Sequence, residues 1–186
     1  MLLFWYAPLI FSLTQPTLIE AGVLGKRIAE APVADTFRYE NLGIEVPIEK
    51  AAWTSPLNTK DWRKIRSALE RGVSLAYEGE FLESVTLAFI TGHSSDVYPH
   101  RYSSVFASLG QAQRDDNFTL WLNQNPYQFK VTGVKIISPQ DVEEFQALNP
   151  GEKSDIQRVA LVTCWPVLTT RSRLVVIGER SLRGSL

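Results

Sequence analysis

Apolar and polar residues alternate over short stretches along most of this chain, and the period changes at only a few places. Residues 42–48 read LGIEVPI, apolar at nearly every second position, which predicts a strand. Pro47 inside it points to a sheet edge, where a missing N–H does no harm. Residues 59–71 switch period. Trp62, Ile65 and Leu69 recur at spacings of three and four with charges between them, which predicts an amphipathic helix, capped by Asn58 or Thr59 and ended by Gly72. Residues 73–77 and 85–91 are strand-like, and residues 103–109 form a short helical candidate closed by Gly110. Residues 118–122 and 128–137 predict two strands around Asn125-Pro126, a turn signal. A second short helix, 141–148, is closed by Asn149-Pro150-Gly151, and residues 159–164 and 173–177 make the last strands. Residues 26–40, mixed in charge and holding Pro32, read as a linker or a short irregular helix. Strands dominate, helices are inserted between them, and no repeat is visible. The pattern therefore predicts a mostly β closed barrel or sandwich with α insertions.

Composition narrows the function. The 186 residues carry 45% hydrophobic and 21% charged side chains, an ordinary globular balance that excludes a wholly disordered chain or a polytopic membrane protein. The net charge of -1 gives no reason to expect a nucleic-acid partner, since phosphate binding shows as a basic excess. One cysteine allows no intrachain disulfide and no multi-thiolate zinc site, and two histidines allow no three-histidine metal site. Residues 1–13, MLLFWYAPLIFSL, are uncharged but shorter than the roughly 20 residues of a membrane span, and they lack the basic start of a secretory signal. Three readings stay open for them: a membrane-proximal anchor, favoured by the interface-loving Trp5 and Tyr6; an apolar helix packed on the domain or a partner; or a start from which a basic stretch is missing.

The residues able to do chemistry gather at strand ends. Cys164 follows the aliphatic run 159–163 and precedes Trp165 and Pro166, so it sits where a buried strand leaves the sheet. A lone cysteine is more often a small buried hydrophobe, but a strand end facing a loop is where reactive groups are commonly mounted. His93 ends a comparable strand, 87–93, before the polar turn Ser94-Ser95-Asp96. His100, in the loop Tyr98-Pro99-His100-Arg101, reads as a solvated surface residue. Arg171 and Arg173 follow Cys164 by seven and nine residues and open the last strand, on one face of it, with Ser172 on the other. The return strand of this β–loop–β unit brings an arginine back beside the cysteine.

These features together resemble the sortase family. The string 160–166, Ala-Leu-Val-Thr-Cys-Trp-Pro, running on to Arg173-Leu174-Val175-Val176, is similar to the sortase Thr-Leu-x-Thr-Cys strand with its following arginine. Thr91-Gly92-His93-Ser94-Ser95 resembles the family's Gly-His segment, and the separation of 71 residues between His93 and Cys164 is of the family's size. The Cys-x-Pro form resembles the short-loop subfamilies. The likeness runs from about residue 44 to 178. Two departures stand out: Ala160 replaces a frequent threonine, and Ala76-Tyr77-Glu78-Gly79-Glu80 replaces the usual Tyr-Pro-Gly segment, which puts the shape of the substrate groove in question.

The resemblance implies a closed sortase-like β-barrel of about eight strands with a few short helices, spanning residues 44–180 between an N-terminal membrane-proximal segment and linker, 1–43, and a tail, 181–186. It implies a cysteine transpeptidase that cleaves a Leu-Pro-x-Thr-Gly-like C-terminal sorting signal through a thioacyl-enzyme. The amine acceptor would be a cell-wall precursor or a pilin lysine. Cys164 would be the nucleophile, His93 the proton carrier and Arg173 the oxyanion or backbone holder, with Thr163 and Arg171 as substrate contacts. No metal or organic cofactor is required. The place implied is the extracytoplasmic face of the cell membrane, anchored through the N-terminus. The rival readings are a peptide-binding barrel without turnover and an unrelated β domain in which the three residues lie far apart. The peptidoglycan cross-linking cysteine transpeptidases fit poorly, because their Ser-x-Gly before the cysteine is Val162-Thr163 here.

Overall fold

The computed structural model describes residues 32, 34–50, 62–76, 87–96, 98–148 and 155–181. The apolar N-terminus, the caps Asn58 and Thr59, the segment 77–80, the Asn149-Pro150-Gly151 stop and the tail beyond 181 lie outside them. Eight strands form one closed barrel: β1 (Thr36–Tyr39), β2 (Ile44–Lys50), β3 (Val73–Ala76), β4 (Leu87–Thr91), β5 (Asn117–Leu122), β6 (Asn125–Ile137), β7 (Ile156–Trp165) and β8 (Ser172–Ser181). Two short helices, α1 (Trp62–Leu69) and α2 (Val142–Gln146), are inserted. The order around the barrel is β1-β2-β3-β4-β7-β8-β6-β5, with β5 returning to β1. Two pairs are parallel, β2 with β3 and β4 with β7, and both need long connections. The first of those connections carries α1.

The barrel has two apolar layers, and alternation along the strands explains both. Val159 and Leu161 of β7, Leu174 and Val176 of β8, and Ala88 and Ile90 of β4 point inward with Phe37, Phe118, Leu120 and Phe129. Phe118 and Phe129 stack at 5.4 Å, and Phe37 meets Phe106 edge-on at 5.5 Å. The intervening residues Ala160, Val162, Val175 and Ile177 form a second cluster on the outside, covered by Leu148, Ile137, Leu87, Phe89 and Phe145 of α2. Both faces of β7 and β8 are thus covered at mid-strand, which is why they read as continuous aliphatic runs. Asp141 starts α2, its side chain accepting from the Glu144 N–H at 3.1 Å.

Several expectations are corrected. The first strand, β1, lies inside the segment read as a linker, and it closes the barrel by pairing with both β2 and β5. Its four residues are too few to show a period against mixed-charge flanks. Strand β2 is not at an edge, since the closed sheet has none. Pro47 is tolerated because the β2–β3 ladder begins only at Ile48↔Val73. Gly72 ends α1 with its N–H on the Ala68 carbonyl, and it is glycine because a Cβ there would lie 2.2 Å from the Pro47 oxygen. The β5–β6 turn is Asn123-Gln124, both left-handed at φ 51° and 65°, while Asn125 and Pro126 already pair with Leu122 and Trp121. Pro126 fits there because β6 meets β8 only from Lys130 onward. The helix expected at 103–109 is a series of turns leading into a 3₁₀ stretch, Ala107–Gln111, which contains Gly110 rather than stopping at it.

Candidate active site

Three strand ends meet at one end of the barrel. Strands β7 and β8 pair antiparallel in a register that sets Cys164 opposite Arg173. Strands β4 and β7 run parallel with Thr91 opposite Val162, so both chains leave the sheet in the same direction. Two hydrogen bonds carry the pairing past the last ladder position. The Gly92 N–H donates to the Val162 carbonyl at 3.2 Å, and the Thr163 hydroxyl donates to the Gly92 carbonyl at 2.8 Å. His93 therefore emerges beside Cys164. Alternation then fixes the face. Cys164 follows the outward Ala160 and Val162, Arg173 precedes the outward Val175 and Ile177, and His93 follows the outward Phe89. All three side chains sit on the outer surface of the barrel, whose interior is filled.

Cys164 is half-buried, as are His93 and Arg173. The Arg173 Nη1 donates to the Thr170 and Ser172 carbonyls at 3.2 and 3.1 Å, which pins the guanidinium to the loop that follows Cys164. That loop is also tied to the histidine side, because the Leu168 N–H donates to the Ser95 hydroxyl at 3.0 Å. Thr163, expected to touch substrate, is buried with its hydroxyl committed to Gly92. Arg171 lies exposed, one residue before β8. Gly92 must be glycine, since a Cβ would fall 2.6 Å from the Phe106 ring; that ring and the Phe106 N–H, 2.8 Å from the His93 carbonyl, clamp the histidine backbone.

His93 does not stand alone. Its Nε2 lies 3.5 Å from Asp96 Oδ2, and His100 Nε2 approaches the same oxygen at 3.4 Å. The two rings meet edge-on with centroids 5.6 Å apart. Burial holds the His93 pKa below the ordinary imidazole value; the Asp96 carboxylate opposes this, His100 and Arg66 add to it, and Glu70 again opposes it. Burial would push the Asp96 carboxyl up, but the Tyr98 N–H at 3.2 Å and the two imidazoles outweigh it and hold it below its usual range. Sequence reasoning left His100 as a solvated loop residue, whereas it is half-buried against Asp96. The available signal was the spacing His93, Asp96, His100, three and then four residues apart. Among the described residues these three are the group whose donor atoms, all within 4.8 Å of one another, come closest to a cation-holding set. The Tyr102 N–H, however, donates to His100 Nδ1 at 3.2 Å, so the ring hydrogen of neutral His100 is on Nε2, facing the carboxylate as a donor.

The site is thus a thiol, an imidazole and a guanidinium carried on three adjoining strand ends of a closed barrel. The Sortase domain family model matches residues 40–181, and the chain belongs to the sortase family. No curated protein matches it. Among solved structures, sortase C1 from Streptococcus suis shares 21% identity over 82% of this chain and 74% of its own, with a TM-score of 0.59. Sortase A from Corynebacterium diphtheriae shares 20% over 92% of this chain and 71% of its own, also at 0.59. Sortase C from Clostridium perfringens with the C-terminal cell wall sorting motif shares 20% over 94% and 88%, again at 0.59.

Proposed function

We propose that this chain is a sortase-type cysteine transpeptidase acting at the cell surface. The observation that carries the reading is the register that sets Cys164 opposite Arg173 while the parallel neighbour delivers His93 to the same outer face. The substrate is a C-terminal sorting signal of the Leu-Pro-x-Thr-Gly kind, a reading supported by the sorting motif in the Clostridium perfringens sortase C structure. The acceptor is an amine, from a cell-wall precursor or a pilin lysine. Membrane attachment through the apolar residues 1–13 belongs to the same reading. Among the described residues no helix is long and apolar enough to cross a membrane.

The Cys164 thiolate attacks the scissile carbonyl carbon, so a C–S bond forms and the carbonyl electrons move to oxygen. Arg173 faces that oxygen. Its guanidinium stays charged at any working pH, and the donors not held by Thr170 and Ser172 meet the developing charge. Collapse breaks the C–N bond, and protonated His93 gives its proton to the leaving amine. The incoming amine then attacks the thioacyl carbon, His93 takes the amine proton, and the C–S bond breaks to restore the thiolate.

The test is cleavage of quenched fluorescent Leu-Pro-x-Thr-Gly-type peptides by the purified protein, with and without an amine acceptor. Wild type should cleave and ligate. Cys164→Ala should show no turnover, His93→Ala should lose several orders of magnitude, and Arg173→Lys should lose about 10²-fold in kcat/KM, because one ammonium cannot both grip the loop carbonyls and face the oxyanion. Peptides of this kind that bind without being cleaved would instead mark a barrel that only binds.

A further inference from the structure

The arrangement around Asp96 assigns work to residues outside the Cys–His–Arg set. The chain from Tyr102 inward is ordered by hydrogen positions. A backbone N–H has one hydrogen and can only donate, so the Tyr102 N–H makes His100 Nδ1 an acceptor. Neutral His100 then carries its hydrogen on Nε2, and Asp96 Oδ2 lies 3.4 Å from that atom. The other carboxylate oxygen, Oδ1, accepts from the Tyr98 N–H. Asp96 is thereby held on one oxygen by the Tyr98 N–H, with an imidazole edge 3.4 Å from the other, and its carboxyl is kept below its usual range. His93 Nε2 faces the same Oδ2. Both Nε2 atoms are shut off from solvent and neither completes a hydrogen bond; the shared carboxylate oxygen, 3.5 and 3.4 Å away, is the anion each of them lies beside. A hydrogen on His93 Nε2 is favoured there and a lone pair is not, because a lone pair would point at an anionic oxygen.

We infer that Asp96, held by the Tyr98 N–H and flanked by His100, is the positioning residue of His93: its carboxylate keeps the imidazole in the form with hydrogen on Nε2 and leaves Nδ1 as the nitrogen that exchanges protons. The first half stands on geometry alone, and the second rests on the transpeptidase reading above. The effect on charge has a definite sign. Of the groups that bear on His93, Asp96 and Glu70 favour the imidazolium, while His100 and Arg66 oppose it. Removing the Asp96 charge therefore lowers the pH at which His93 takes a proton, and the neutral ring loses its reason to prefer Nε2–H.

The experiment is long-range ¹⁵N–¹H imidazole spectroscopy on the whole protein against pH. With two histidines in the chain, a single His100 variant assigns both rings. In wild type, neutral His93 should show the Nε2–H pattern. In Asp96→Asn the pattern should move toward a mixture of tautomers and the His93 midpoint should fall. His100→Gln, whose amide N–H can replace the Nε2–H donor, should keep the wild-type tautomer better than His100→Ala. On peptide substrate, Asp96→Asn should lose about ten- to a hundredfold in kcat with KM within about twofold, and the limb of the pH–rate profile set by His93 should move with the spectroscopic midpoint. An unchanged tautomer and midpoint in Asp96→Asn would overturn the inference, whatever the rate. So would stoichiometric uptake of Zn²⁺ alone at or below about micromolar, abolished by Asp96→Asn and His100→Ala, since both Nε2 lone pairs would then serve a cation. If wild type cleaves no peptide, the spectra still decide whether Asp96 positions His93, and only the transpeptidase reading fails.

Discussion

His93 is placed where its proton affinity is held down mainly by burial and held up by the carboxylates of Asp96 and Glu70, and this balance bears on stability. The folded ring binds a proton less readily than the unfolded one, which titrates near 6.5. Between that value and the lower folded pKa, the unfolded chain carries the extra proton, so stability rises with pH and is lost as pH falls below about 6.5. Asp96, held below its usual range, adds a loss of the same sign at still lower pH. Urea unfolding of wild type and His93→Gln from pH 8 to 5 should show a flatter profile for the variant. An identical slope in both would mean that the folded ring is not shielded. Much of this scale was legible in the sequence, because Cys164, His93 and Arg173 each mark a strand terminus and strand termini are readable from apolar runs. The role of Thr163 was not legible. A hydroxyl beside a lone cysteine reads as a substrate contact, and only the register of two strands far apart in sequence shows that it bonds Gly92.

At the scale of elements, the decisive unit is the parallel pair β4–β7. Strand pairing spaces neighbouring chains at about 4.8 Å, so the separation of the histidine and cysteine backbones is set by main-chain geometry rather than by long side chains. The Thr163 hydroxyl is the last fastener of that pair, buried and directed at a carbonyl. Thr163→Val should lower stability by about 1–2 kcal/mol, through the lost bond and the carbonyl left unsatisfied. It should depress kcat through the slackened His93 backbone, with KM almost unmoved. A raised KM at unchanged stability would restore the substrate role. The sequence showed the existence of β4 and β7 but not that they run parallel and adjacent, since pairing partners leave no trace in local periodicity. Turn chemistry misled in the other hairpin, because Asn-Pro is a louder signal than Asn-Gln, although only the latter residues take left-handed backbone.

For the whole molecule, closure depends on the short strand that sequence reading assigned to a linker. Strand β1 joins β2 to β5 and buries Phe37 and Tyr39 completely. The Tyr39 hydroxyl donates to Asp116 at 2.7 Å, and Asn41 donates to the other carboxylate oxygen at 2.6 Å, so this strand is bolted to the turn before β5. A chain starting at residue 44 would open the barrel along two ladders and leave those two aromatic sites empty. It should unfold without a cooperative transition and expose apolar surface to a dye such as ANS, whereas a chain starting at residue 32 should melt cooperatively. Cooperative melting from residue 44 would show that the other seven strands suffice. A closed barrel was among the readings of the strand number and spacing and was implied by the family resemblance, but the strand that closes it was not legible, because closure is made by residues 36–38 meeting residues 119–121.

The bond from the Leu168 N–H to the Ser95 hydroxyl joins two loops that leave the sheet from neighbouring strands in the same direction. Mechanically they form one rim, so a lengthened loop after Cys164 and a lengthened loop after His93 are not independent changes. Each alters the wall on which the other leans. Anyone exchanging these loops between members of this fold would have to move both together. A chimera that takes one loop and keeps the other would inherit a mismatched seam rather than a new preference.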